Sequence, residues 1–195
     1  MTFFDVAKTV VSGILRTAFR LRVVGAQHVP RTGGLLVVAN HISNLDPPIL
    51  GVALPRPVSY MAKKELFALP VLGPILPRVN AFPVDREAGG TAALRASLRM
   101  LKAGRCVGIF PEGGRNVHGD KQEKAGAAFL ARASGVPVVP AAIVGTGALR
   151  PLGRVTVVFG APFYIERNRE ADGDDLEKGT ADIMQRIRAL EESIR

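Results

Sequence analysis

The chain has 195 residues, 47% of them apolar, with one cysteine, no tryptophan and a formal net charge of +9. That apolar content supports a single domain with a sizeable core and excludes a disordered chain, and a lone cysteine excludes an intrachain disulfide. The positive excess calls for an anionic partner; with only two tyrosines and no aromatics interleaved with basic residues, nucleic acid is disfavoured and phosphate or membrane remains.

At the N-terminus, Phe3, Phe4, Ala7, Val10, Val11, Ile14, Leu15 and Ala18 recur at helical spacing. Lys8, Arg16 and Arg20 lie on the other face. Residues 1–20 therefore read as an amphipathic helix, either lying in a membrane interface or docked on the core of a domain spanning 21–195. No window reaches the roughly 20 apolar residues of a spanning helix. Lys8 and Arg16 interrupt the stretch, so a signal peptide is not expected.

Arg20 to Val24 suggests a short strand, and Leu35 to Ala39 a buried one. Next comes the polar run Asn40-His41-Ile42-Ser43-Asn44-Leu45-Asp46-Pro47-Pro48. Its two prolines suit the first turn of a helix over Ile49–Leu54, where a missing N–H costs nothing. His41 and Asp46 sit on one strand-to-helix turn. A carboxylate on one imidazole nitrogen fixes the tautomer and leaves the other nitrogen to accept a proton. Alone, these residues serve equally well as a loop histidine and a helix cap.

Val58 to Ala62 reads as a strand. The apolar, proline-rich stretch Leu66 to Pro77 is too broken for a long helix; it lines an acyl groove, faces a membrane or packs in the core. Asn80 to Arg86 reads as a short strand closing on the Asp85–Arg86 pair. Thr91 to Lys102 is a helix ended by Gly104. Val107 to Phe110 is a buried strand, with Cys106 a small hydrophobe beside it. Pro111-Glu112-Gly113-Gly114-Arg115-Asn116 forms a glycine-rich turn. Lys124 to Ser134 is a helix. Val136 to Val144 contains Pro137 and Pro140, so it is expected at a sheet edge or bulged. Arg154 to Gly160 is a further strand, and Asp174 to Arg195 a charged amphipathic helix. The alternation implies an α/β domain.

Three polar turns follow strands: the histidine turn, Asp85–Arg86 and Glu112 to Arg115. In an α/β sheet, such loops gather into one site. They would bring together a base, its carboxylate, a glutamate and two arginines, the side chain best suited to gripping a phosphate. Local salt bridges account for the charged residues equally well. Cysteines and histidines are too few for a structural zinc site, and a reducing compartment fits the single cysteine.

These turns resemble the glycerolipid acyltransferase family, whose bacterial members include the 1-acyl-sn-glycerol-3-phosphate acyltransferases. The likeness runs from about Gly25 to Gly160, with four motifs in the family's order. Asn40-His41-x-Ser43-x-x-Asp46 matches the first; Phe82 to Arg86 resembles the second, Phe110 to Asn116 the third and Val138 to Ile143 the fourth. Lys63 and Lys64 resemble a lysine pair between the first two. Gly114 stands where threonine is usual and Asn116 where serine is common.

The resemblance implies a single domain with a mixed, largely parallel sheet flanked by helices. It also implies transfer of a fatty acyl group from acyl-CoA or acyl-ACP to a lysophospholipid hydroxyl, most simply that of 1-acyl-sn-glycerol-3-phosphate. His41 and Asp46 would be catalytic. Arg86, Glu112, Gly113, Arg115 and Lys64 would bind the phosphate and glycerol, with Asn40, Ser43 and Gly114 in support. No metal or bound cofactor is expected. The expected partners are the membrane phospholipid surface and the two substrates, at the cytoplasmic face. An acyltransferase acting on another lysolipid or polar acceptor, a non-catalytic anionic-membrane module, and a thioester or ester hydrolase are the rivals; the absence of a Gly-x-Ser-x-Gly elbow weighs against the last.

Overall fold

The structure is a computed structural model that describes residues 13, 19–85, 90–117, 122–147, 153–166 and 173–194. Nearly all of the 1–20 helix, and Arg86 with it, falls outside that set.

Seven strands form one sheet: β1 (Arg22–Val24), β2 (Leu35–Ala39), β3 (Val58–Lys63), β4 (Ala81–Val84), β5 (Cys106–Ile109), β6 (Val138–Val144) and β7 (Thr156–Phe159). Their spatial order is β1-β7-β6-β2-β5-β3-β4. Neighbours pair in parallel except β6 and β7, so β1 and β7 run against the other five. The result is the mixed, mostly parallel sheet implied by the resemblance.

Among the elements bounded within the described residues, five α-helices accompany it: α1 (Asp46–Ala53), α2 (Leu72–Arg78), α3 (Thr91–Lys102), α4 (Gly126–Ser134) and α5 (Gly173–Glu192). Every residue of β2 is buried, as expected of a central strand covered on both faces. Side chains alternate along it. Leu35, Val37 and Ala39 join one core with Ile49 and Leu50 of α1. Leu36 and Val38 join the other, with Leu101 of α3, Leu130 of α4 and Ile183 of α5. Cys106 is buried within the first core.

One sequence expectation is corrected. The strand carrying Pro140 is central, between β7 and β2, and not at an edge. Its ladder with β7 stops at Ala141–Phe159. Pro140 lies one residue further on, where its carbonyl accepts the Gly160 N–H at 2.9 Å. A residue's N–H and C=O point to the same side of a strand, so the donor that proline lacks falls beyond the end of β7 and breaks no rung.

Because β2 to β6 are parallel, their carboxyl ends share one edge of the sheet. The histidine turn, the Glu112 turn, Asp85 and Lys64 all follow strands at that edge.

Candidate active site

The histidine turn is organised around one buried oxygen. Asp46 is fully buried at the first position of α1. Its Oδ2 accepts the His41 Nδ1–H at 2.9 Å and the backbone N–H groups of Ile42 and Ser43 at 2.7 Å each. The carboxylate thus closes the turn and orients the ring together. A carboxylate only accepts, so Nδ1 carries a proton, and in the neutral ring Nε2 is the nitrogen with the lone pair. Asp46 is not the helix cap; Leu45 holds that position. Ser43 Oγ accepts the Leu45 N–H at 3.3 Å.

The ring is clamped from its face as well. His41 stacks on Phe110 with centroids 4.4 Å apart, and Phe110 stacks on Tyr60 at 6.4 Å. Tyr60 is buried, and burial pushes its hydroxyl well above the ordinary phenol range. Gly108 makes the stack possible: a Cβ there would lie 2.3 Å from the Tyr60 ring.

Asn40 anchors the turn to the sheet. Its side-chain amide donates to the Ile143 carbonyl at 2.9 Å, and its oxygen accepts the Ile143 N–H at 2.7 Å. Both ends of the Asn40 amide are therefore used, at 5% exposure.

The Glu112 turn wraps the same histidine. The Glu112 carboxylate accepts the His41 backbone N–H. The Asn116 N–H donates to the His41 carbonyl at 2.6 Å. Burial, opposed in part by that hydrogen bond, raises the Glu112 carboxyl from 4.5 to about 7. Its Oε2 is buried with no protein partner. Gly113 has φ 65°, and a Cβ there would meet the Lys124 stem at 2.8 Å. The glycine thus lets a lysine chain lie across the turn.

These groups border a cavity of about 370 Å³, within the usual range for small-ligand sites. His41, Gly113 and Gly114 line it beside Met61, Val84 and Leu94. Lys124 lines it too. Lys124 was not singled out from the sequence, where it reads only as a helix start; the helix begins two residues later, and the Lys124 N–H is tied to the Pro111 carbonyl at 2.8 Å. Its one sequence signal is a lysine just before a glycine and alanine run.

The remaining candidates are arranged less closely. Arg115 is exposed on the Glu112 turn. Lys64 pairs with Asp85 at 2.5 Å across the ends of β3 and β4, which holds the ammonium in its charged form. One partner of Asp85 is thus a lysine 21 residues away in sequence. Among the described residues, no group of three His, Cys, Asp or Glu side chains is gathered to hold a metal ion.

The chain is similar in sequence and fold to known proteins. The family model described as Acyltransferase matches residues 20–144. The chain is 34% identical over 179 residues to the 1-acyl-sn-glycerol-3-phosphate acyltransferase of Bacillus subtilis (strain 168), covering 89% of each. It is 30% identical over 162 residues to the protein of that name from Streptococcus pneumoniae, covering 80% of this chain and 60% of the other. The crystal structure of the 1-acyl-sn-glycerophosphate (LPA) acyltransferase PlsC from Thermotoga maritima superposes with a TM-score of 0.72 at 25% identity, covering 97% of this chain and 78% of that one. With a bonded histidine and carboxylate on the first motif and a family match over most of its length, the chain belongs to the acyltransferase family.

Proposed function

We propose that this acyltransferase moves a fatty acyl group from acyl-CoA or acyl-ACP to the free hydroxyl of 1-acyl-sn-glycerol-3-phosphate, giving phosphatidic acid. The observation that carries this reading is the His41–Asp46 bond on the wall of the cavity. The names of the relatives supply the acceptor.

In this reading, Nε2 of His41 takes the proton of the acceptor hydroxyl as its oxygen attacks the thioester carbonyl. The C–O bond forms and the tetrahedral intermediate collapses. The C–S bond breaks, and the thiolate leaves with the proton returned by the imidazolium. Transfer is direct. Cys106 is buried in the core with its thiol pushed up to about 12, which removes it as an acyl carrier. The apolar wall of Met61, Val84 and Leu94 takes an acyl chain. Arg115 and Lys124, with Arg86 and Lys64, supply positive charge for the acceptor phosphate. Glu112 and Gly113 contact the glycerol side, while Asn40, Ser43 and Gly114 hold the turns in shape. No bound cofactor takes part. The enzyme works at the cytoplasmic face of the cell membrane as a peripheral or monotopic protein. Among the described residues, no helix is long and apolar enough to cross a membrane.

The test is a mass-resolved assay of the pure protein with acyl-CoA and acyl-ACP against a panel of lysolipids. Phosphatidic acid should form only with 1-acyl-sn-glycerol-3-phosphate and a thioester. Product from a different lysolipid would reassign the acceptor. Free fatty acid formed without any acceptor would make the protein a hydrolase.

A further inference from the structure

The connection between β3 and β4 leaves four large apolar side chains in solvent within seven residues: Leu69, Val71, Leu72 and Ile75. Val71 is 71% exposed. The other large apolar side chains exposed among the described residues, Leu45, Val117, Phe129 and Tyr164, are scattered along the chain. Single exposed apolar residues need no explanation, but a cluster does.

The cluster sits on built structure. A 3-10 turn over Lys64–Ala68 leads into α2. The Gly73 N–H bonds the Leu69 carbonyl at 2.8 Å. Gly73 is buried so closely on Phe67 that a Cβ would lie 2.2 Å from its carbonyl oxygen. The apolar side chains are therefore presented by packed backbone.

The charges around the patch are mainly positive. From 63 to 78 the chain carries Lys63, Lys64 and Arg78 against Glu65 alone. Lys63 and Arg78 are exposed at the two ends of the segment. An apolar surface rimmed by cations matches a bilayer of anionic phospholipid, with acyl chains below and phosphates at the rim.

We propose that residues 69–75 insert among the acyl chains of an anionic bilayer, with Lys63 and Arg78 at the headgroups. The purpose of this surface rests on the lysolipid-acyltransferase reading; its test does not, because insertion is measured without turnover.

The chain has no tryptophan, so Val71→Trp places a single reporter in the patch. Tyr164→Trp is the control: its neighbour Phe163 bridges Val138 at the start of β6, on the opposite edge of the sheet from the site. Each full-length variant is mixed with vesicles of phosphatidylglycerol and phosphatidylcholine, some with brominated acyl chains. The Val71→Trp emission should shift to the blue and be quenched by bromine, and Tyr164→Trp should do neither. Pure phosphatidylcholine should give a weaker response. Three results would overturn the proposal: a Val71→Trp emission unmoved while the protein co-sediments with vesicles, an emission already blue in buffer because the chain covers its own patch, or equal quenching at both positions. Changing Leu69, Val71, Leu72 and Ile75 together to serine should lower vesicle partitioning by about tenfold or more, with circular dichroism unchanged and turnover of a detergent-dispersed acceptor retained.

Discussion

The Glu112 carboxylate accepts the backbone N–H of His41, while the ring of the same histidine is bonded to Asp46. Two acids thus hold one residue from opposite ends, and they differ in setting. Glu112 is raised to about 7 by burial. Its folded form binds a proton more readily than its unfolded form, at 4.5. Native protein therefore holds more protons between those values, and stability falls as pH rises through that window. Glu112→Gln keeps an acceptor for the His41 N–H and removes the titration. Melting temperatures measured from pH 4 to pH 8 should show the variant gaining on the wild type as pH rises, then levelling off above 7. A constant difference across the range would mean that Glu112 does not titrate there.

Substitutions at the dyad should separate chemistry from folding. His41→Ala removes the proposed base but only one of the three donors on Asp46 Oδ2. Acyl transfer should fall by about 10³-fold or more with little change in urea midpoint. Asp46→Ala removes the acceptor for two backbone N–H groups as well, and should also destabilise the fold by about 2–4 kcal/mol. Near-normal turnover in His41→Ala would end the assignment of the base.

The two cations at the Glu112 turn should act on binding. Arg115→Ala removes a charge from the exposed side of the turn and Lys124→Met one from the cavity wall, and the second keeps the stem that lies over Gly113. Each should raise KM for the phosphorylated acceptor about tenfold with kcat changed far less. An acceptor lacking the phosphate should show no such difference between variant and wild type.

The cavity wall should set chain length. Leu94 lines the cavity from α3. Leu94→Phe adds bulk there, and competition between acyl donors of different length should shift in favour of the shorter chains. An unchanged ranking would place the acyl chain elsewhere.

Local chemistry made much of this readable from sequence. The apolar run of β2, the two prolines after Asp46 and the leucine stripe of α3 each specify their element within a few residues. The five-residue spacing of His41 and Asp46 lets one turn join them. Contacts between distant segments were not readable. Asn40 meets Ile143 across 103 residues, and Lys64 meets Asp85 across 21. The centrality of Pro140 depends on where β7 ends, which no local rule states. Lys124 becomes a site residue only because Gly113 turns with positive φ beneath it.

The Asn40 amide has a dynamic consequence. It occupies both polar groups of Ile143, in a strand flanked by β2 and β7. The histidine turn is therefore fastened to the middle of the sheet and not to its rim. The amide proton of Ile143 should exchange with solvent only when the whole domain opens, among the slowest in the protein. A site tied in this way has no partly unfolded form of its own: its geometry persists as long as the sheet does and is lost with it.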